Sequence, residues 1–408
     1  MYQDSTTLIT VIIFVATYTI VAIGKLPGYR IDRAGAALLG AALLVGLDIM
    51  SPAEVYEAIN FDTITLLLGM MIVVANMRVS GFFRIINAAI LKNIRYPALL
   101  LLAIVLASGV LSAFLVNDTI CLVMTPLVLE LVLRMKRNPI PYLLAIAMAS
   151  NIGSVATITG NPQNMIIGSV SGISYSHFAA TLSPVALSGL VIVFAFIALT
   201  YRSEFLTKER LPEASVKVHY HHALVAKTSL ITLAMVILFF MGQPVAKVAI
   251  VGGAILLLTR RVNPGKIYRE IDWPLLIMFI GLFVVVAGLE KAVIGPEALA
   301  AVASLRLDSA PVLATVTAVL SNIVSNVPAV LILKPFVVPL ADPEKAWLVI
   351  AMAATLAGNF TLVGSVANLI VAQRAKTFGV ELGFWTYFKA GAPVTILTIV
   401  MGTLWLMA

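Results

Sequence analysis

Asn117 and Asp118, side by side in a long apolar run, are the residues of this chain best placed to do chemistry. A carboxyl group kept from water can trade a proton, because desolvation makes its charged form costly. The alternative role is a helix cap that stays ionised against nearby N–H groups. The pair belongs to the polar stretch Ala113-Phe114-Leu115-Val116-Asn117-Asp118-Thr119, with Pro126 nine residues after the Asn. A second stretch, Ser321-Asn322-Ile323-Val324-Ser325-Asn326-Val327-Pro328, also has a proline, Pro335, nine residues after its Asn. Polar, helix-breaking sequence inside a membrane is costly unless it lines a cavity or a site. A doubled one is the mark of a transporter with internal repeats.

A broken helix leaves unpaired N–H groups at one new end and unpaired C=O groups at the other. The first attract anions or neutral oxygen ligands, and the second attract cations. Asn117, Thr119, Asn161, Gln163, Asn164, Ser325, Asn326, Asn359, Thr361, Ser365 and Asn368 add neutral donors and acceptors at the breaks. No Arg or Lys is expected near either tip, which favours a neutral, hydroxyl-rich solute over one needing a guanidinium clamp. Lys334 is expected either to snorkel to the surface or to act as a counter-charge in the outer pathway, and Glu130 is similarly ambiguous. Cys121 reads as packing, and the run His219-Tyr220-His221-His222 lacks the frame of a metal site.

The elements that must hold these residues are membrane spans. Of the 408 residues 61% are hydrophobic and 11% charged, with a mean hydropathy of +1.05, which excludes a soluble globular domain. Ten spans are expected, at 8–24, 33–49, 62–81, 141–170, 183–200, 225–241, 245–259, 272–290, 346–373 and 389–407. The first reads as a retained span, since no basic segment precedes it. Stretches 97–136 and 309–340 read as re-entrant hairpins, and 141–170 and 346–373 as discontinuous helices. With both termini outside, only Lys247, Lys291, Arg306, Lys334 and Lys345 of the 27 Lys and Arg face outward, as the positive-inside rule requires. The net charge of +8 therefore sets orientation and does not point to nucleic acid.

The two halves repeat in order, residues 1–200 and 224–408, joined by a cytoplasmic linker at 201–223. Five spans per half is an odd number, so one half is inverted and the tips meet near the midplane. The expected fold is therefore an all-α polytopic membrane protein of two inverted five-helix repeats, each with one re-entrant hairpin and one discontinuous helix.

At these motifs the chain resembles the ion transporter superfamily, which holds arsenite permeases, sodium–dicarboxylate symporters and plant silicon efflux transporters. Val116-Asn117-Asp118-Thr119 looks like the arsenite permeases, and departs from the Ser-Asn-Thr tips of the symporters. Ala149-Ser150-Asn151-Ile152-Gly153-Ser154 to Gly160-Asn161-Pro162-Gln163-Asn164 looks like the arsenite-permease and silicon-efflux branch. So does Ala357-Gly358-Asn359-Phe360-Thr361-Leu362-Val363-Gly364-Ser365-Val366-Ala367-Asn368. The resemblance implies efflux of arsenite, antimonite or silicic acid in exchange for protons across the cell inner membrane. It carries Asn151, Gly160 and Gly364 into the expected substrate site beside the residues above, with Asp118 as proton carrier. Symporters of this superfamily are commonly dimers, so the resemblance allows a homodimer. No Walker motif is present, so ATP-driven export would need a separate ATPase subunit, and no cofactor is expected. The alternatives are a sodium- or proton-coupled carboxylate or anion permease, a passive channel, and an intramembrane enzyme. The last lacks both a His-Glu-x-x-His motif and paired membrane aspartates.

Overall fold

The computed structural model describes residues 2–24, 28–207, 210–211, 220–293 and 305–408. Lys25 and, within the 201–223 linker, residues 208–209 and 212–219, with Lys208, Lys217 and His219 among them, lie outside the described residues. The fold is all-α. The first half contains α1 (Tyr2–Ile23), α2 (Arg33–Gly46), α3 (Pro52–Ala58), α4 (Phe61–Ser80) and α5 (Phe82–Asn93). It continues with α6 (Pro97–Phe114), α7 (Asn117–Arg134), α8 (Ile140–Ser154), α9 (Pro162–Val170) and α10 (Tyr175–Thr200). The second half contains α11 (His222–Phe240), α12 (Val245–Leu257), α13 (Trp273–Val293), α14 (Ala310–Val324) and α15 (Asn326–Val337). It ends with α16 (Pro343–Ala357), α17 (Val366–Thr377) and α18 (Phe384–Met407).

Seven of the described helices are long and apolar enough to cross a membrane: α1, α4, α6, α10, α11, α13 and α18. One of them, α6, is a hairpin arm rather than an expected span. The expected spans at 33–49 and 245–259 are shorter as helices than as apolar runs. α2 has 14 residues and α12 has 13. At 1.5 Å per residue each covers about 20 Å, well short of the roughly 30 Å hydrocarbon layer. α10 starts earlier than expected, at Tyr175, because Ser174 caps it by accepting from the His177 amide.

The inverted repeat is visible in how these helices cross. α2 of the first half packs along α13 of the second, and α12 of the second packs along α4 of the first. Both crossings rest on a glycine. A Cβ built on Gly69 would lie 2.5 Å from the backbone of Ala249, and one on Gly281 would lie 2.5 Å from the backbone of Ala37. Gly69 and Gly281 are separated by 212 residues in sequence, and so are Ala37 and Ala249. Small residues let the backbones touch, as membrane helix packing favours.

The expected hairpins and broken helices are present. α6 turns into α7 through Leu115 and Val116, and α14 turns into α15 through Ser325 alone. Ser325 takes φ +78°, a left-handed conformation that costs a non-glycine residue about 1–3 kcal/mol. In each broken span an irregular segment separates two helices, residues 155–161 in the first half and 358–365 in the second.

Candidate functional site

Four helices of the hairpins and broken spans begin at one cavity of about 50 Å³. α7 contributes Asn117 and Asp118, and α9 contributes Pro162 and Gln163. α15 contributes Asn326, Val327 and Pro328, with Ser325 before it, and α17 contributes Val366 and its cap Ser365. The first turn of a helix carries unpaired N–H groups and the positive end of its dipole. Converging helix starts therefore give the cavity a positive potential, against which Asp118 is the acid among its lining residues.

The opposite wall comes from helices outside the hairpins. Val21 of α1 and Leu275, Met278 and Phe279 of α13 are apolar, and Arg33 opens α2. Arg33 corrects the expectation that no basic residue lies near a tip: it lines the cavity and interacts electrostatically with Asp118. In the sequence Arg33 counted only as a topogenic charge on the cytoplasmic side. The signal that could have found it is its position as the first residue of an otherwise apolar span.

Of the residues expected at the site, Asn117, Asp118, Gln163, Ser325, Asn326 and Ser365 line the cavity. Asn151, Asn161, Asn164, Asn359 and Asn368 form a buried hydrogen-bond lattice with neighbouring polar groups. Asn151 is its hub. Its Oδ1 accepts from Asn117 Nδ2 at 3.0 Å and from Ser365 Oγ at 3.2 Å. Its Nδ2 donates to Asn359 Oδ1 at 2.9 Å and to Asn368 Oδ1 at 3.0 Å. Asn359 donates onward to the Met148 carbonyl at 3.3 Å.

The lattice crosses the two-fold in both directions. Asn161 Nδ2 donates to Thr355 Oγ1 at 3.2 Å, and Ser365 Oγ donates to Asn151 Oδ1 at 3.2 Å. Asn161 precedes α9 as Ser365 precedes α17, and Asn151 sits in α8 as Thr355 sits in α16. Gln163 Nε2 joins Thr355 at 3.1 Å. Thr355 was not expected from the sequence, since one threonine in an apolar helix carries no motif.

The remaining expected residues act through their backbone. The Thr361 carbonyl accepts from Asn368 Nδ2 at 3.1 Å and from the Gly364 amide at 3.1 Å. A Cβ on Gly160 would lie 2.2 Å from the Ser154 carbonyl oxygen, and one on Gly364 would lie 2.9 Å from Asn322 Oδ1. The Thr119 amide donates to the Val116 carbonyl at 3.0 Å and closes the first turn of α7.

Asn117, Asn164 and Asn322 each leave a buried Oδ1 without a hydrogen-bond partner, and of these three Asn117 lines the cavity. The Asn117 Nδ2 is used, so its Oδ1 is the open end. Buried polar atoms are paired in the great majority of cases, so an orphaned acceptor lining a cavity marks a place for a donor.

Two further cavities, of about 410 and 340 Å³, share Glu57, Ala58, Phe283, Leu331 and Lys334. Lys334 lines both and approaches Glu290 to 3.7 Å. Glu130 pairs with Arg134 along α7 at 2.6 Å on an exposed face. Cys121 is fully buried.

The chain matches a family model described as a citrate transporter, CitMHS, over residues 12–347 and again over 312–408. A 46 kDa membrane protein of Mycobacterium leprae is 29% identical, the match covering 98% of this chain and 97% of that protein. A Dictyostelium discoideum protein bearing the transporter name arsB is 26% identical, covering 91% of this chain and 86% of its own length. A silicon efflux transporter of Oryza sativa subsp. japonica is 27% identical over 93% of each chain. Among solved structures, the YdaH transporter of Alcanivorax borkumensis shares the fold with a TM-score of 0.63, 14% identity and coverage of 98% of this chain and 97% of that one. With its paired hairpins, crossed repeats and family match, the chain is a membrane transporter that belongs to the citrate transporter family, CitMHS, within the ion transporter superfamily.

Proposed function

We propose that this protein is a secondary transporter that exports small neutral metalloid hydroxides, arsenite and antimonite, in exchange for protons. The observation that carries the reading is the orphaned Asn117 Oδ1 beside Asp118 in a cavity of about 50 Å³. A water needs roughly 10–15 Å³ of such space, so the cavity has the scale of a solute of about four heavy atoms. A hydroxide ligand brings the O–H donors that Asn117 lacks, and its oxygens can accept from helix-start N–H groups. With Arg33 and Asp118 both charged the cavity is balanced, which suits a neutral solute. The names of the arsB and silicon-efflux relatives agree with this class.

In this reading Asp118 carries the proton, and proton and solute occupy the cavity in turn. Asn117, Gln163, Ser325, Asn326 and Ser365 touch the solute. Asn151, Asn161, Asn164, Asn359 and Asn368 hold the four helix starts in place, together with Thr119, Gly160, Thr361 and Gly364. In this reading both termini lie outside the cell inner membrane, which the charge bias supports, and the repeats run over 1–200 and 224–408.

The test is uptake into proteoliposomes under an imposed pH gradient. Wild type is expected to concentrate arsenite, and Asp118→Asn to lose the response to pH. An Asp118→Asn protein that still concentrates arsenite with an unchanged pH response removes the proton-carrier role. A second reading, a proton-coupled carboxylate or anion permease, is favoured by Arg33 in the cavity and by the family's citrate description. Proton-driven accumulation of citrate, but not of arsenite, would establish it.

A further inference from the structure

We propose that Arg33 is the fixed counter-ion of Asp118, and that the cavity therefore binds a proton and a small monoanion together. The inference rests on the reading of Asp118 as proton carrier and adds a ligand and a residue to it.

Arg33 is an unusual first residue for a helix. A cation at a helix N-terminus faces the positive end of the dipole, which disfavours it. Two features offset this. Asp32 caps α2, its carboxylate accepting from the Gly35 amide at 2.9 Å. The guanidinium also lies against the end of α1, where a Cβ on Gly24 would sit 3.5 Å from Nε and 3.6 Å from Nη2. The end of α1 presents carbonyl oxygens and the negative pole of its dipole. The guanidinium thus lies between the end of α1 and the cavity, and α12, the counterpart of α2, begins with Val245.

The charged groups that act on Asp118 are Arg33 and Asp272. Asp272 is engaged as the cap of α13, accepting from the Leu275 amide at 3.0 Å. Cys121, on the same helix, interacts with Asp118 and with Tyr387 of α18, and both Cys121 and Tyr387 are buried. When Asp118 is ionised it is itself the anion that answers Arg33 and the converging helix starts. When it accepts a proton, the lining of the cavity keeps one guanidinium and the converging helix starts with no carboxylate among the lining residues, Asp272 standing outside that lining as the cap of α13. A monoanion then restores the balance. Because linkage is reciprocal, proton binding strengthens anion binding by the factor with which the anion strengthens proton binding. Small monoanions would act as proton-dependent inhibitors of exchange.

The experiment is nitrate binding to the purified full-length protein in detergent, by calorimetric titration. Nitrate stays a monoanion at every working pH, so any pH dependence belongs to the protein. Wild type is expected to bind nitrate at least about tenfold more tightly near pH 5.5 than near pH 8.5. Asp118→Asn, which carries no charge, is expected to bind at both values. Arg33→Gln is expected to lose binding, and Arg33→Lys to recover the acid-strengthened pattern. Thermal unfolding identifies any variant that fails to fold, in which case wild type and Arg33→Lys decide. No nitrate binding to wild type near pH 5.5, equal affinity at both values, or full binding by a folded Arg33→Gln would each overturn the proposal. Proton–arsenite exchange together with pH-independent nitrate binding defeats this inference alone. The expected nitrate pattern without arsenite transport defeats the substrate assignment alone.

Discussion

Asn164 and Asn368 make the same pair of bonds in the two halves of the molecule. Asn164 Nδ2 donates to the carbonyls of Ser154 and Thr157, each at 3.0 Å. Asn368 Nδ2 donates to the carbonyls of Gly358 at 2.7 Å and Thr361 at 3.1 Å. Each amide thus ties together two carbonyls at the break, where the intrahelical bonds of a continuous helix are interrupted. Replacing either with Ala removes two hydrogen bonds to these carbonyls, at about 0.5–1.5 kcal/mol each. Asn164→Ala and Asn368→Ala are both expected to lower Tm in detergent by several degrees. A Tm unchanged in either would show that water satisfies those carbonyls.

Gly69 and Gly281 support the crossing of the two halves. A methyl group at either would press on backbone, which cannot move aside as a flexible side chain can. Gly69→Ala and Gly281→Ala are expected to destabilise by about 1–3 kcal/mol or more. Gly46, at the end of α2, has nothing within 4 Å of its Cβ position and serves as the control. Thermal unfolding of the three variants separates the two cases.

Ser325 holds the second tip in a left-handed turn at φ +78°. Glycine adopts that conformation without strain. Ser325→Gly is expected to raise Tm, with a gain of about 1 kcal/mol. Val116, at the first tip, has φ −51°, so Val116→Gly is expected to lower stability through added backbone freedom. A lowered Tm for Ser325→Gly would mean that the hydroxyl contributes more than the strain.

Glu54 provides a pH control away from the central cavity. Lys291, at 2.6 Å, and then the backbone and hydroxyl of Ser51 hold its carboxyl well below the usual range, at about 2. A depressed carboxylate stabilises the fold above its unfolded pKa, and that contribution is lost as pH falls toward the folded value. The Glu54–Lys291 tie is therefore expected to stay ionised throughout the range from about pH 4 to pH 8. Glu54→Gln should leave the pH midpoint of transport unchanged in proteoliposomes. A shifted midpoint would place the proton site at this face instead of at Asp118.

The architecture was legible in the sequence because its signals are local. Asn117 with Pro126, and Asn326 with Pro335, mark helix breaks inside apolar runs, and the structure breaks the chain there. The division of labour among the polar residues was not legible. Asn151 and Asn117 look alike in sequence, yet one has both side-chain ends satisfied and the other keeps an open acceptor. That difference depends on contacts between halves more than 200 residues apart, such as Asn151 with Asn359. Arg33 escaped for a related reason. Its charge fitted the topological count so well that nothing in the sequence required a second role. The short α2 and α12 escaped because hydropathy records how long an apolar run is, and not where its helix starts.

In the proposed mechanism substrate and proton move in opposite directions through one cavity. Proteoliposomes loaded with a pH-sensitive dye test it directly, under an arsenite gradient with no imposed pH gradient or sodium. Inwardly directed arsenite is expected to drive protons out and make the lumen more alkaline, with no such change in Asp118→Asn vesicles. A lumen whose pH does not respond, or that acidifies as arsenite enters, would contradict the account.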